Sequence, residues 1–452
     1  MNDPLKNFGA LRTARHREAL VQGSTRHVIV MALALVSFGV GHQWSKLRQN
    51  SQPNSADVAT ANPVEGVGGP TANVALPEEV VEVRDATDLD TAAPVAPRRV
   101  EALSRAPLEA PERTTRSEPT PLARELVTSL TKLDFSLGPL TSEQAGQWKE
   151  GLQQLIQQGG AAVPAIQEFL DLNRDWDFGP VNPLGFPSLR TAFLDALEQI
   201  GGPEPQGLML KTLQTTAVPA EIARVARSLE RQAPGQFLEE IRTAVRETLA
   251  QAATGQMPGW DMGPLFQVLQ SYGDATTLPD LEKSASKWNY YSALTLASLP
   301  SGAGIPTLVK LAQESSGTGS RAAATEALAQ VAVQYPAAGA ALVELARSGQ
   351  LSEKNWLAAT SALEGTRYSI RDDGLEKPVV PAGAGLKSYY LARSDQKFYS
   401  TPAWGGMSIE QIQQRIAIID QLLAVNPSAA VAQALQNARV SLLTKGQQAS
   451  AN

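Results

Sequence analysis

Apolar positions are distributed along this chain in sharply different ways from one region to the next. From Pro121 onward they recur at helical spacing between Gly/Pro corners. In SEQAGQWKEGLQQLIQQGGAAVPAIQEFLDL, the residues Trp148, Leu152, Leu155 and Ile156 share one face, which predicts a helix. Thr141 or Ser142 caps it, with Gln144 three positions after Thr141 in a capping box. Gly159 and Gly160 stop that helix, and Pro164 opens the next in its first turn, where the missing N–H costs nothing. Val163, Ile166, Phe169 and Leu170 form the second stripe.

The scheme recurs with corners at Gly201, Pro234, Gly273, Pro300 and Pro336, and fresh openings at Leu278-Pro279 and Ile305-Pro306. The corners are spaced roughly in the mid-thirties of residues, the period of a two-helix repeat. One such pair cannot bury both its stripes, whereas stacked pairs share a core. The segments LIQQGGAAVPAIQEFL and SLPSGAGIPTLVKLA resemble HEAT repeats of the PBS-lyase-like variety, over roughly residues 140–365. The resemblance implies an all-α fold, a right-handed α-solenoid of HEAT-like helical hairpins, and says little of function.

A phrase also repeats. W-D-[FM]-G-P occurs at Trp176 and at Trp260, 84 positions apart (260 − 176), which equals two longer repeats. Each copy precedes a repeat's first helix. Trp176 and Trp260 are expected to pack over the preceding helical pair, with Gly179 and Gly263 redirecting the chain at structural corners.

Upstream the pattern differs. Residues 1–26 are basic, and a near-continuous apolar run spans Val28–Val40 within residues 27–45. The run is shorter than the roughly 20 residues a bilayer core needs, and Gly41, His42 and interfacial Trp44 extend it to the lower edge of that range. A cleaved signal peptide is the competing reading. The long basic segment ahead, and the lack of a small-residue cleavage site after, favour an uncleaved signal anchor. Lys6, Arg12, Arg15, Arg17 and Arg26 then place the N-terminus in the cytoplasm and the body in the periplasm or outside the cell. Residues 46–120 are rich in Pro, Ala, Thr and Glu, a composition that predicts a disordered linker. Val74–Val83 could pair as a strand, though a solvated spacer is the simpler reading.

Composition narrows the chemistry. The chain has 452 residues, no Cys and three histidines, and these are His16, His27 and His42. Beyond residue 42 there is no imidazole for a Ser-His-Asp triad and no Cys or His for a zinc site. A pI near 5.4 gives no electrostatic basis for nucleic-acid binding. No cofactor is called for. Asp171, Asn173, Asp175 and Asp177 mimic the start of a calcium loop, but Trp176 and Asn182 stand where it needs Gly and Glu. Glu314-Ser315 matches the Glu-Ser start of a lytic transglycosylase motif whose remainder is missing.

Residues 371–407 break the helical rhythm. GLKSYYLARSDQKFYSTPAWGG reads as a hairpin turning at Ser394–Gln396. It gathers Tyr389, Tyr390, Arg393, Phe398, Tyr399 and Trp404, residue types that dominate binding hot spots, so it is the expected partner surface. The equal alternative is that these aromatics pin the loop to the repeats. Residues 408–445 return to a helical pair opened by a Ser408/Gln411 capping box. The pair closes the repeats or, in a homo-oligomer, dimerises. With helical repeats assigned to 121–370, the chain reads as a membrane-anchored extracytoplasmic scaffold for a protein partner of unknown identity. A carboxylate-dependent enzyme acting on envelope polysaccharide and a self-assembling subunit are the alternatives.

Overall fold

A computed structural model describes residues 84–85, 98–101, 118–132, 140–179, 182–313, 318–370, 388–391, 394–395, 398–401 and 407–451. The chain divides into two compact units, Met1–Leu76 and Pro77–Asn452, and all described residues belong to the second. The apolar run at 28–40 lies outside them. Among the described residues no helix is long and apolar enough to cross a membrane.

The unit is mostly helical. Its helices are α1 (Pro121–Thr131), α2 (Ser142–Gln157), α3 (Val163–Asp171), α4 (Leu189–Ile200), α5 (Pro203–Thr215), α6 (Pro219–Gln232), α7 (Leu238–Ala253) and α8 (Gly263–Tyr272). There follow α9 (Leu278–Ser284), α10 (Asn289–Ser298), α11 (Ile305–Gln313), α12 (Thr318–Val331), α13 (Pro336–Arg347), α14 (Glu353–Glu364), α15 (Ile409–Leu423) and α16 (Ala429–Ala451).

Local chemistry sets many of these boundaries. Thr141 caps α2 and Ser408 caps α15, each in a capping box completed by Gln144 and Gln411 respectively. Prolines occupy the first turn of α3, α6, α9 and α13. Gly201, with φ of 65°, closes α4 in the left-handed region that glycine tolerates.

The helices alternate between two rows. The first row runs α2, α4, α6, α8, α10, α12, α14, α16, and the second runs α1, α3, α5, α7, α9, α11, α13, α15; each helix packs on the next of its own row. Pairs such as α4/α5, α6/α7 and α12/α13 also pack between rows. One buried apolar cluster extends from Ala123 to Leu442. Because α15 packs on α13 and α14 as well as on α16, the terminal pair α15/α16 continues the two rows after the irregular stretch.

Strands complete the unit: β1 (Arg84–Asp85), β2 (Arg98–Glu101), β3 (Arg174–Asp177), β4 (Arg367–Ile370), β5 (Ser388–Leu391) and β6 (Phe398–Thr401). They form a four-stranded sheet of order β1-β6-β5-β4 and a two-stranded sheet of β2 and β3. The expectation of a structureless linker therefore fails at two places, since β1 adds parallel to β6 and β2 adds antiparallel to β3. Composition measures what a segment can bury by itself, and these segments instead complete the backbone hydrogen bonding of strand edges supplied by the body.

Candidate functional site

The inserted sheet lies on the first row of helices. Gly365, with φ of 123°, ends α14 and releases the chain into β4. The outer edge of β4 is satisfied by side-chain amides. Gln330 Oε1 accepts from the Tyr368 N–H at 2.8 Å, and its Nε2 donates to the Tyr368 carbonyl at 3.0 Å. Gln267 Nε2 donates to the Ile370 carbonyl at 3.0 Å. These two glutamines stand on α12 and α8 and do the work of an absent neighbouring strand.

On the other side β4 pairs parallel with β5, and β5 pairs antiparallel with β6 in the register Tyr389 to Ser400 and Tyr390 to Tyr399. Tyr389 stacks on Tyr368 with ring centroids 5.6 Å apart and planes at 20°, and Tyr368 meets Tyr290 of α10 at 6.3 Å. Tyr390 is 7% exposed and Leu391 is fully buried.

The turn between β5 and β6 makes the most specific contact. Helix α10 has no side-chain cap from its own N-cap residue Trp288. The Asp395 carboxylate supplies one from 104 residues away, accepting from the Tyr291 N–H at 2.6 Å and the Tyr290 N–H at 3.2 Å. Burial pushes the Asp395 carboxyl up to about 7; the amide hydrogen bonds oppose that and the nearby Asp261 charge adds to it.

Asp261 belongs to the second W-D-[FM]-G-P copy and accepts from the Tyr291 hydroxyl at 2.8 Å. A second buried carboxyl, Glu326 of α12, is pushed up to about 7 by burial, against a hydrogen bond from Tyr290 and the charge of Lys354. One of its oxygens has no hydrogen-bond partner among the described residues, which suits a neutral acid better than a carboxylate. Burial, with Glu326 close by, raises the phenols of Tyr290 and Tyr368 above the usual tyrosine range. The cluster therefore gathers two carboxyls and two phenols, all raised by burial, around a helix N-terminus.

The repeated phrase is a corner with one shared geometry. Asp177 Oδ1 accepts from the Gly179 N–H at 2.8 Å, and Asp261 Oδ1 accepts from the Gly263 N–H at 2.9 Å. The buried anchors are Phe178 and Met262. Trp176 is half-buried against the core, whereas Trp260 is 42% exposed. Trp176 thus packs on the core as expected and Trp260 does not, while in both copies the fully buried position is the next residue but one. The copies diverge at glycine. Gly179 has φ of 74°, while Gly263 starts α8 and leaves room for the Tyr291 hydroxyl, which would lie 3.0 Å from an added Cβ.

Beside the first copy sits a buried ion pair. Arg190 Nε donates to Glu221 at 2.6 Å and its Nη2 at 3.1 Å, while Nη1 donates to the Leu170 carbonyl. The Thr216 hydroxyl donates to the same Glu221 carboxylate at 2.7 Å. Burial works against the Arg190 charge, but Glu221 outweighs it and the pKa is raised. Asp175 accepts from the Arg190 and Trp176 N–H groups, and burial lifts its carboxyl to about 6.

The three aspartates of the calcium-loop mimic are thus drawn to different tasks. Asp171 pairs with Lys211, Asp175 faces inward, and Asp177 holds its own turn. Among the described residues no group of three or more His, Cys, Asp or Glu is placed to hold a metal.

Of the expected partner surface, Tyr389 is half-buried against the core and stacks on Tyr368, while Tyr390, next along the strand and on its opposite face, is buried without joining the core cluster. The side chains of Phe398 and Tyr399, and the whole of Arg393 and Trp404, lie outside the described residues, as do Glu314 and Ser315. Asp395, Tyr290, Tyr368 and Glu326 were not singled out by sequence reasoning, although Asp395 falls in the polar turn expected at 394–396, and Asp261 was noticed only as part of the repeated phrase. Comparison with protein-family models, curated proteins and solved structures finds no match.

Proposed function

We propose that the chain is a membrane-anchored extracytoplasmic scaffold, a right-handed α-solenoid of HEAT-like hairpins that binds a protein partner. Two rows of helices in which each packs on the next of its row support the solenoid reading. The apolar run at 28–40 behind a basic segment supports the anchor. One observation carries the binding role. Among the described residues, the few large apolar side chains left exposed include Leu172 at 60% and Trp260 at 42%. Leu172 lies on the α3–α4 connection and Trp260 on the α7–α8 connection, both of which pass from the second row to the first. They therefore share one edge of the stack, where a partner would meet repeated apolar anchors. Arg393, Phe398, Tyr399 and Trp404, with Tyr389 and Tyr390, remain the proposed second contact region on the insertion.

A second reading, self-assembly, is favoured by the terminal pair, where Ile409, Val440 and Leu443 are exposed at 43%, 61% and 43%. In-cell photocrosslinking from Leu172, Trp260 and Val440, with mass-spectrometric identification, separates the two. A recurrent protein partner captured from Leu172 and Trp260 supports the scaffold. Capture of the chain by itself from Val440 alone supports self-assembly. Silence at both Leu172 and Trp260 refutes the proposed surface.

A further inference from the structure

The edge of β3 is built to take a strand, and the chain's own linker is placed on it. The β3 backbone is fixed beforehand: the Asp175 carboxylate accepts from the Trp176 N–H at 2.8 Å and from the Arg190 N–H at 2.9 Å. An isolated bridge from Asp177 to Ser188 holds one side of the strand. The side facing β2 would otherwise present unpaired N–H and C=O groups, a template for another chain. A rigid template removes part of the ordering cost of strand addition.

Charge specifies both direction and register. In the antiparallel pairing Arg98 stands opposite Asp177 and Glu101 opposite Arg174. Arg174 and Asp177 are both exposed. Turning the same segment parallel would set Arg98 against Arg174 and Glu101 against Asp177, two like-charge pairs. Opposite charges across a ladder stabilise it and like charges destabilise it; the sequence thus works for one arrangement and against its reverse.

We propose that β3 is a strand-addition site whose ligand is an extended segment with a basic residue three positions ahead of an acidic one, and that linker residues Arg98–Glu101 occupy it in cis as a latch. The latch covers an edge that would otherwise recruit other chains. With β1 paired to β6, the stretch ahead of both strands, residues 46–83, is the spacer, a consequence that rests on the membrane-anchor reading; the latch itself does not.

The chain contains no Cys, so an engineered pair in the purified full chain is unambiguous. Glu101→Cys with Arg174→Cys places two thiols at register partners. Arg98→Cys with Arg174→Cys places them three residues out of register, about 10 Å along a strand and beyond the roughly 7 Å Cα separation a disulfide can bridge. The first pair should close within one chain at least ten times faster than the second. Equal rates, or disulfides formed only between chains, overturn the cis latch.

Hydrogen exchange reads the charge code separately. In Arg174→Glu, amides of residues 98–101 should exchange about two- to five-fold faster, and Glu101→Arg in the same chain should restore them. A chain in which Arg174→Glu changes nothing has no charge-specified site. Neither result depends on membrane attachment, which is tested independently by whether alkaline carbonate extracts the chain from membranes.

Discussion

Asp395 offers the sharpest test of how the insertion is held. Its carboxylate replaces the cap that α10 lacks, reaching Tyr290 and Tyr291 N–H groups from a hairpin turn. Asp395→Ala removes that cap, for which losses of about 0.5–2 kcal/mol are usual, and leaves the Tyr291 amide buried without its acceptor, a further ~1–3 kcal/mol. Asp395→Asn keeps an acceptor oxygen at the same place, and Asn caps helices about as well as Asp.

The two variants therefore separate capping from charge. Asp395 is raised from 3.8 to about 7, so between those values the folded chain retains a proton that the unfolded chain has released. Stability then falls as pH rises through that window, by up to about 1.4 kcal/mol per pH unit for one group, and above pH 7 the loss is complete. Asp395→Asn removes this contribution, so its advantage over the parent should grow from pH 5 to pH 8.

The assay is amide exchange at Tyr290, Tyr291 and Ser388–Leu391 at both pH values, because a repeat array can open locally without global unfolding. Expected are fast exchange in the Ala variant, and protection in the Asn variant that declines less toward pH 8 than the parent's, Glu326 supplying the remaining pH dependence. If Ala leaves these amides protected, or if Asn keeps the parent's pH dependence, the hairpin is not held by Asp395.

Glu326→Gln should act in the same sense, gaining stability relative to the parent as pH rises toward 8, because Glu326 is likewise raised to about 7; urea unfolding at pH 5 and pH 8 measures it. Arg190→Met should cost about 3–5 kcal/mol by leaving Glu221 buried and unpaired, and adding Glu221→Leu should recover most of that in denaturant titrations. Gly263→Ala should cost about 1–3 kcal/mol, since its Cβ meets the Tyr291 hydroxyl at 3.0 Å and Asp261 at 3.1 Å. Gly146→Ala, inside α2 with no atom within 4 Å, should stabilise by about 0.5–1 kcal/mol; urea unfolding of both glycine variants measures the two effects.

What the sequence makes legible is what neighbouring residues decide among themselves. The Thr141/Gln144 and Ser408/Gln411 boxes span three positions, and both are present as read. The prolines that open helices and the glycine that closes α4 are equally local. The antiparallel hairpin follows from alternation either side of a polar turn. Asp395 carries no such signal, because its partners lie 104 and 105 residues away and any carboxylate in a turn reads as solvated. The same limit hides Gln330 and Gln267, whose amides complete β4. In the repeated phrase the eye goes to tryptophan for its size, but Phe178 and Met262 occupy the fully buried position and the indoles are left half-buried or exposed. Linker composition misleads for a related reason: it measures self-sufficiency, while β1 and β2 pair with edges the body provides.

The position of the sheet bears on what the first row of helices can do. In a nearest-neighbour stack each helix is stabilised by the adjacent units, so distant units are coupled weakly. The insertion changes this locally. Gln267 ties β4 to α8, Gln330 ties it to α12, and Asp395 ties the hairpin to the intervening α10. Tyr290, Tyr368 and Tyr389 fill the space between with rings in mutual contact. Three consecutive first-row helices are thus fastened by one segment that leaves the chain after α14 and returns at α15. That segment covers the face of α8, α10 and α12 on which it rests, so a partner docking there would have to displace half-buried tyrosines and a helix cap. The connections bearing Leu172 and Trp260 are free of that cost. The described part of the insertion therefore braces these three helices in fixed relation to one another.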